Sequence, residues 1–212
     1  GVTFCDTADT YGAGHNEILL AKALGKASGK CIIATKFGIF RKPGMYERRI
    51  DNSPQYIRQA CEDSLRRLGV ETIDLYYAHR IAPDVPIEET IGVMADLVRS
   101  GKVRALGLCE ISGETLRQAQ AIHPIAVVQS EYSLWNRDPE LELLPTCREL
   151  QVSFVAYSPL GRGMLTGGIN ADTVFADNDF RKIAPRFKSE HLNVNLGLLE
   201  VVKAMALEKQ CT

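Results

Sequence analysis

At 212 residues, 45% hydrophobic and 24% charged, the chain has the composition of an ordinary globular protein with material for one core. Its 25 Lys and Arg residues nearly cancel 26 Asp and Glu residues, and the net charge of −1 provides no field to gather nucleic acid or an anionic membrane. A small-molecule partner is therefore favoured over a polyanion.

The chain enters a strand almost at once, over Val2 to Cys5, with Asp6 at its carboxyl end and Tyr11 in the loop that follows. A second strand, Cys31 to Thr35, ends at Lys36. Ser53 and Pro54 supply the cap and first position of a helix whose Ile57, Cys61, Leu65 and Leu68 recur at helical spacing up to Gly69. The third strand, Ile73 to Tyr77, runs out at His79 and Arg80. A helix beginning near Pro86 carries Ile87, Ile91, Met94 and Val98 on one face before Gly101. Strands over Val103 to Leu108 and Ala126 to Gln129 follow. The next helix opens at Asp138-Pro139 and runs through Leu141 and Leu144, with a kink expected at Pro145. A strand over Ser153 to Ala156 leads into a long irregular stretch from Ser158 to about Ser189, and the last helix is predicted over Asn193 to Glu208. Both ends read as cut from a longer chain.

The strand runs are almost continuously apolar, as parallel strands covered on both faces require, and helices alternate with them. Periodicity alone fits either an open doubly wound sheet or an eight-stranded barrel. The turn after the first strand, Asp6-Thr7-Ala8-Asp9-Thr10-Tyr11-Gly12-Ala13-Gly14, is acidic and lacks the GxGxxG fingerprint of open nucleotide-binding sheets. The expected fold class is therefore α/β, an incomplete (β/α)8 TIM barrel forming a single domain over residues 1–212. About six βα units are visible, with roughly two missing from the usual ~250 residues of such a barrel.

A barrel builds its active site at the carboxyl ends of its strands. Three such ends here bring a carboxylate (Asp6), a phenol (Tyr11), an ammonium (Lys36) and an imidazole (His79) to one mouth. Together these types make a proton donor for a developing alkoxide. A free phenol is a weak acid, and a neighbouring ammonium favours its phenolate. Asp6 is the partner that keeps a strand-end Lys36 charged, and His79 offers a hydrogen bond to a carbonyl oxygen. The hydride has to come from a cofactor, because no side chain supplies one. Taken singly, each of the four has a structural explanation; it is their conjunction that points to chemistry.

The segments GVTFCDTADTYGAGHNE, IATKFG and IDLYYAHR, followed by VVQSEYSLWNRD and VAYSPLGRGMLTG, resemble those of the aldo-keto reductases in order and spacing. The branch is the one that includes auxin-induced and perakine reductase-like enzymes. The resemblance implies a barrel binding NADP(H) and reducing an aldehyde or ketone to an alcohol, with Tyr11 as general acid, Lys36 and Asp6 tuning it, and His79 orienting the carbonyl. It also implies that Gln129 and the Cys109-Glu110 pair hold the nicotinamide carboxamide, that Tyr157 stacks on the ring, and that Asp6 touches the nicotinamide ribose. Ser158, Leu160, Gly161, Arg162 and Gly163 would follow the pyrophosphate. Cys109 stands where the family usually has serine, a stronger hydrogen-bond donor than a thiol. Relative to the family, the first and last barrel strands are missing; the family's 2'-phosphate grip falls in that last region, so this chain does not read out NADP over NAD.

Phe37, Arg80 and Trp135 are the candidate substrate residues, with Phe40, Met45 and Tyr132 also in mouth loops. Arg41, Lys42, Arg48 and Arg49 read as a solvated loop face. No metal is expected, because the cysteines at 5, 31, 61, 109, 147 and 211 show neither CxxC nor finger spacing. Scattered thiols in apolar runs point to a reduced, cytoplasmic protein. Apolar runs fall well short of the ~20 residues of a membrane helix, and no signal peptide pattern appears. Two rival readings are a lyase forming a Schiff base at Lys36 and, within the family, a cofactor-binding regulatory subunit of an ion channel.

Overall fold

The computed structural model describes residues 1–41 and 48–211, and of residues 26–28, 41, 48 and 189 the backbone alone. Its elements in chain order are β1 (Phe4–Asp6), α1 (His15–Leu24), β2 (Ile32–Phe37), β3 (Ile39–Arg41), β4 (Arg48–Ile50), α2 (Pro54–Leu68), β5 (Ile73–Ala78), α3 (Ile87–Arg99), β6 (Val103–Cys109), α4 (Gly113–Ile122), β7 (Ile125–Glu131), α5 (Leu143–Glu149), β8 (Ser153–Tyr157) and α6 (Ser189–Glu208). The chain divides into two compact units, Gly1–Glu131 with Asp138–Tyr157 and Tyr132–Arg137 with Ser158–Thr212.

The first unit holds a parallel sheet in the order β1-β2-β5-β6-β7-β8, with helices between successive strands. This is the α/β arrangement of consecutive (β/α)8 units, as expected. All six predicted strands are present, and each reaches one or two residues further at its carboxyl end than the apolar runs do. Most of the added residues are polar or small, but their backbones still pair: Lys36 aligns with Tyr77, Cys109 with Gln129, and Glu131 with Tyr157. Groups expected at strand ends or in loops are therefore held by the sheet itself.

Alternation along the strands sorts their side chains. Ile33, Tyr76, Leu106, Leu108 and Val128 join the main core with the helices, whereas Ala34, Leu75, Tyr77 and Cys109 form a cluster on the opposite face. The helices cover the first set. In α2 the Ser53 hydroxyl accepts from the Tyr56 N–H at 3.4 Å, Pro54 takes the first position, and the Gly69 N–H closes the helix on the Leu65 carbonyl at 2.9 Å. This buries Ile57, Cys61 and Leu68, and α3 buries Ile87, Ile91 and Met94. A fully buried aliphatic side chain stabilises by about 1.5–3 kcal/mol.

One helix prediction needs correction. The segment from Asp138 is a 3-10 turn, Asp138–Glu140, and α5 begins only at Leu143. Pro145 therefore sits in the first turn, where an N–H has no helical partner to lose, and it causes no kink.

In the second unit, Met164, Ile169, Ala184, Phe187 and Leu192 form a small core, with Trp135, Phe175 and Leu196 against it. The stretch expected to be irregular contains 3-10 turns at Gly161–Thr166, Phe180–Lys182 and Pro185–Phe187, and α6 starts four residues before the predicted Asn193. Lys42 and Met45 lie outside the described residues, as do the side chains of Arg41 and Arg48.

Candidate active site

Sheet register brings the four expected groups together. β1 and β2 are adjacent, with Asp6 opposite Ala34, so Asp6 and Lys36 project from the same face two residues apart along the strand direction. The Lys36 ammonium is fully buried and ion-pairs with the Asp6 carboxylate, which remains partly open to solvent. It also donates to the Thr7 carbonyl at 2.8 Å. A buried ammonium needs both contacts to offset the loss of water. The same nitrogen lies 5.4 Å from the Tyr11 ring centroid, and the His79 ring meets the Tyr11 ring edge-on at 5.9 Å. Tyr11 itself is 41% exposed, whereas Lys36 is fully buried. The Lys36 nitrogen is buried and engaged by a carboxylate and a carbonyl, which leaves it no open approach for a substrate carbon and weighs against the lyase reading.

Beneath the Tyr11 loop lies a buried polar network that the sequence did not advertise. Glu17 on α1 is fully buried and accepts from the Thr35 hydroxyl at 2.6 Å and from the Arg67 guanidinium of α2 at 2.5 Å. The Thr7 hydroxyl bonds the Asn16 side chain at 2.7 Å, tying the loop's start to its end. Asp9 donates its N–H to the Lys36 carbonyl at 3.1 Å and accepts from the Tyr56 hydroxyl at 3.2 Å. A glutamate in a first helical turn usually signals no more than a favourable dipole interaction, and an aspartate in a turn no more than local hydrogen bonding. Only the fold shows that both are inside.

Burial raises the Asp9 carboxyl to about 7, with the Tyr56 hydrogen bond and Arg67 pulling it down and Glu17 pushing it up. The native state therefore keeps this proton to a higher pH than the unfolded chain, where an aspartate titrates near ~4. Between those limits the folded state binds more protons, so its stability falls as pH rises from ~4 to ~7 and levels off above that. Asparagine at position 9 cannot ionise and keeps the acceptor for Tyr56. Urea unfolding should show Asp9→Asn gaining stability relative to the parent by on the order of 3 kcal/mol between pH 5 and pH 8. Parallel pH profiles would rule out a buried ionising Asp9.

The remaining candidates fall as follows. Gln129 is buried and donates through Nε2 to the second Asp6 oxygen at 2.9 Å, which links it to the ion pair. Cys109 lies beside it on β6, 1% exposed, and burial pushes its thiol up to about 12, outweighing the opposing pull of Lys36 and Arg80. It is a neutral thiol at any physiological pH. Glu110 takes a left-handed backbone (φ 53°), donates its N–H to the Gln129 carbonyl at 3.0 Å and accepts from the Glu131 N–H at 2.8 Å. Tyr157 ends β8 half-buried, its hydroxyl raised to about 12 first by burial and then by Glu110. In the second unit, Ser158, Gly161, Arg162 and Gly163 all have positive φ, and at Gly161 an added Cβ would come 2.9 Å from the Trp135 ring. The Arg162 guanidinium lies 4.9 Å from the Phe180 ring centroid.

One of the substrate candidates takes a structural place. Phe37 is fully buried in the main core, stacked on Tyr76 at 4.9 Å between ring centroids, and has no surface to offer a substrate. An aromatic next to a catalytic residue in sequence points to the opposite face of its strand. Trp135 packs edge-on against Phe187 at 6.1 Å, with Arg186 over its ring at 5.3 Å. Arg80 is half-buried and donates to the His79 carbonyl at 2.6 Å, beside the tetrad. Among the described residues, no group of three or more His, Cys, Asp or Glu side chains is arranged to hold a metal ion. No helix among them is long and apolar enough to cross a membrane.

The fold recurs among known proteins. A soybean (Glycine max) protein named probable aldo-keto reductase 1 is 49% identical over the whole chain, which spans 61% of that relative's length. The glycerol dehydrogenase of Gluconobacter oxydans superposes with a TM-score of 0.91 at 33% identity, over all of this chain and 66% of its own. An aldo/keto reductase of Klebsiella pneumoniae, solved with NADP and acetate, matches 77% of the chain and 55% of its own length at a TM-score of 0.66 and 29% identity. The profile of the aldo/keto reductase family runs through residues 1–211, from the strand bearing Asp6 to the end of α6. With strand order, the Asp6–Lys36 pair and the Tyr11–His79 contact all in place along that match, the chain belongs to the aldo/keto reductase family.

Proposed function

We propose that the full-length protein reduces an aldehyde or ketone to the alcohol with NADP(H), Tyr11 donating the proton to the carbonyl oxygen. The observation that carries this reading is the Lys36 ammonium, buried on Asp6 and 5.4 Å from the Tyr11 ring, with His79 on the ring's edge. A cation this close, shielded from water, favours the phenolate that remains after donation. His79 stands beside the phenol to orient the carbonyl. The crystallised Klebsiella relative with NADP supports the choice of cofactor.

NADP(H) supplies the hydride when bound. The residues assigned to it are Asp6, Gln129, Cys109, Glu110 and Tyr157 towards the nicotinamide, and Ser158, Leu160, Gly161, Arg162 and Gly163 towards the pyrophosphate. The fit rests on the Gln129 carboxamide fixed by Asp6 and on the half-buried Tyr157 ring at the end of its strand. Cys109, buried and neutral, contributes shape more than hydrogen bonding. Arg80 remains the substrate-facing candidate, suited to a polar group on the carbonyl compound.

The same proposal places residues 1–212 in one barrel domain of a longer protein, acting on a small molecule in the cytoplasm. The six free cysteines, three of them buried, are consistent with a reducing compartment. The test is NADPH oxidation by the full-length protein against a panel of aldehydes and ketones, with fluorescence titration of NADPH in parallel. Binding accompanied by carbonyl-dependent oxidation is expected. A protein that binds no NADPH would overturn the reading.

A further inference from the structure

Tyr77 is the residue on β5 that the tetrad does not use and that the register sets against it. Lys36 aligns with Tyr77, and Tyr77 in turn with Gly107, so these three form one row across β2, β5 and β6. All lie on the face opposite the main core, where Tyr77 is fully buried with Ala34, Leu75 and Cys109. Its ring lies flat against Gly107: a Cβ built there would come 2.4 Å from a ring carbon, so only glycine leaves the ring its seat. The Lys36 ammonium lies 5.6 Å from the Tyr77 centroid and 5.4 Å from that of Tyr11. The cation is thus held between two aromatic faces, with Asp6 and the Thr7 carbonyl as its hydrogen-bond acceptors.

We propose that Tyr77 is a positioning residue of the site: its ring, seated on Gly107, holds the Lys36 ammonium in place against Tyr11. This rests on the proposed reduction for its catalytic meaning, but not for its geometry. The negative face of an aromatic ring attracts a cation within about 6 Å, and the attraction grows as water is excluded. Together with Asp6 and the Thr7 carbonyl, this attraction keeps the charge near the phenol. The charged and titratable groups around the ring are Asp6 from β1, Lys36 from β2 and Cys109 from β6, and the Gln129 carboxamide of β7 faces the hydroxyl. Burial and Asp6 raise that hydroxyl, so Tyr77 remains a neutral ring and does not compete with Tyr11 as the acid.

The experiment compares phenylalanine with pentafluorophenylalanine at position 77 of the full-length protein. The two fill nearly the same volume, but the fluorinated ring presents a reversed face charge. With 13Cζ-labelled tyrosine, Tyr77→Phe should leave the Tyr11 titration close to that of the parent. The fluorinated residue should raise it by about half to one pH unit and lower kcat about 3- to 10-fold, with the dissociation constant of NADPH unchanged. A difluorinated ring should fall between. Gly107→Ala, which drives the ring off its seat, should move the Tyr11 titration in the same direction. Identical Tyr11 titrations with the normal and fluorinated rings would overturn the proposal. A full-length parent that reduces no carbonyl would refute the reduction instead, and the titration would still decide the role of Tyr77.

Discussion

Tyr11→Phe is expected to lower kcat for carbonyl reduction by the full-length protein about 10²–10⁴-fold, the range spanned by general-acid catalysis. The change removes one oxygen from a side chain that is 41% exposed and anchored by its loop backbone, where the Tyr11 N–H donates to the Ala8 carbonyl at 3.1 Å. Stability should be nearly unaffected, and the dissociation constant of NADPH should stay within about twofold, because no cofactor contact is assigned to this phenol. Steady-state kinetics and fluorescence titration check both parts. Turnover within tenfold of the parent would remove Tyr11 as the proton donor. Loss of cofactor binding would instead indicate a disturbed loop.

Lys36→Met should have the second largest effect, because it acts on catalysis and stability together. Methionine approximates the buried stem but leaves Asp6 with no cation and the Thr7 carbonyl with no donor. Breaking a buried ion pair from one side costs about 3–5 kcal/mol, and the partial exposure of Asp6 sets the expectation at the lower end, about 3 kcal/mol. Loss of the charge beside the phenol should lower kcat by about 10²–10³-fold. Combining it with Asp6→Asn tests whether the two act as a pair. The double variant should be more stable than the sum of the single losses predicts, with a coupling of about 1–3 kcal/mol. Additive losses would mean that the ion pair contributes nothing of its own.

Much of this site is legible in the amino-acid sequence. Strand runs, their order and the chemistry at their carboxyl ends identify Asp6, Tyr11, Lys36 and His79, because a parallel barrel places functional groups at one end of each strand. What the apolar pattern underestimates is strand length, since residues such as Lys36, Cys109 and Glu131 pair through backbone that is indifferent to side-chain polarity. Side-chain direction is the other loss. Phe37, next to Lys36, alternates onto the core face, while Tyr77, which reads as one more apolar strand residue, alternates towards the ammonium.

The buried network is illegible for a different reason. Glu17, Arg67 and Asp9 come from α1, α2 and the first loop, and single-residue propensities assign each an ordinary surface role. Helix α1 also begins after Gly12-Ala13-Gly14 without a side-chain cap, and its exposed Ile18 and Leu19 blur the amphipathic pattern that marks α2 and α3. The short antiparallel pair of β3 and β4, with Ile39 opposite Ile50, has only three residues in each strand, too few to show a period-two pattern.

The central claim is that these side chains complete a hydride transfer to a carbonyl by protonating its oxygen. The most direct measurement follows deuterium from NADPH labelled at C4 of the nicotinamide, using the full-length protein, an aldehyde that it turns over, and Tyr11→Phe in parallel. The account predicts deuterium on the carbinol carbon of the product with the parent, and a rate of label transfer at least about 100-fold lower with the variant. Product without label from either deuterated epimer, or transfer at equal rates by parent and variant, would contradict it.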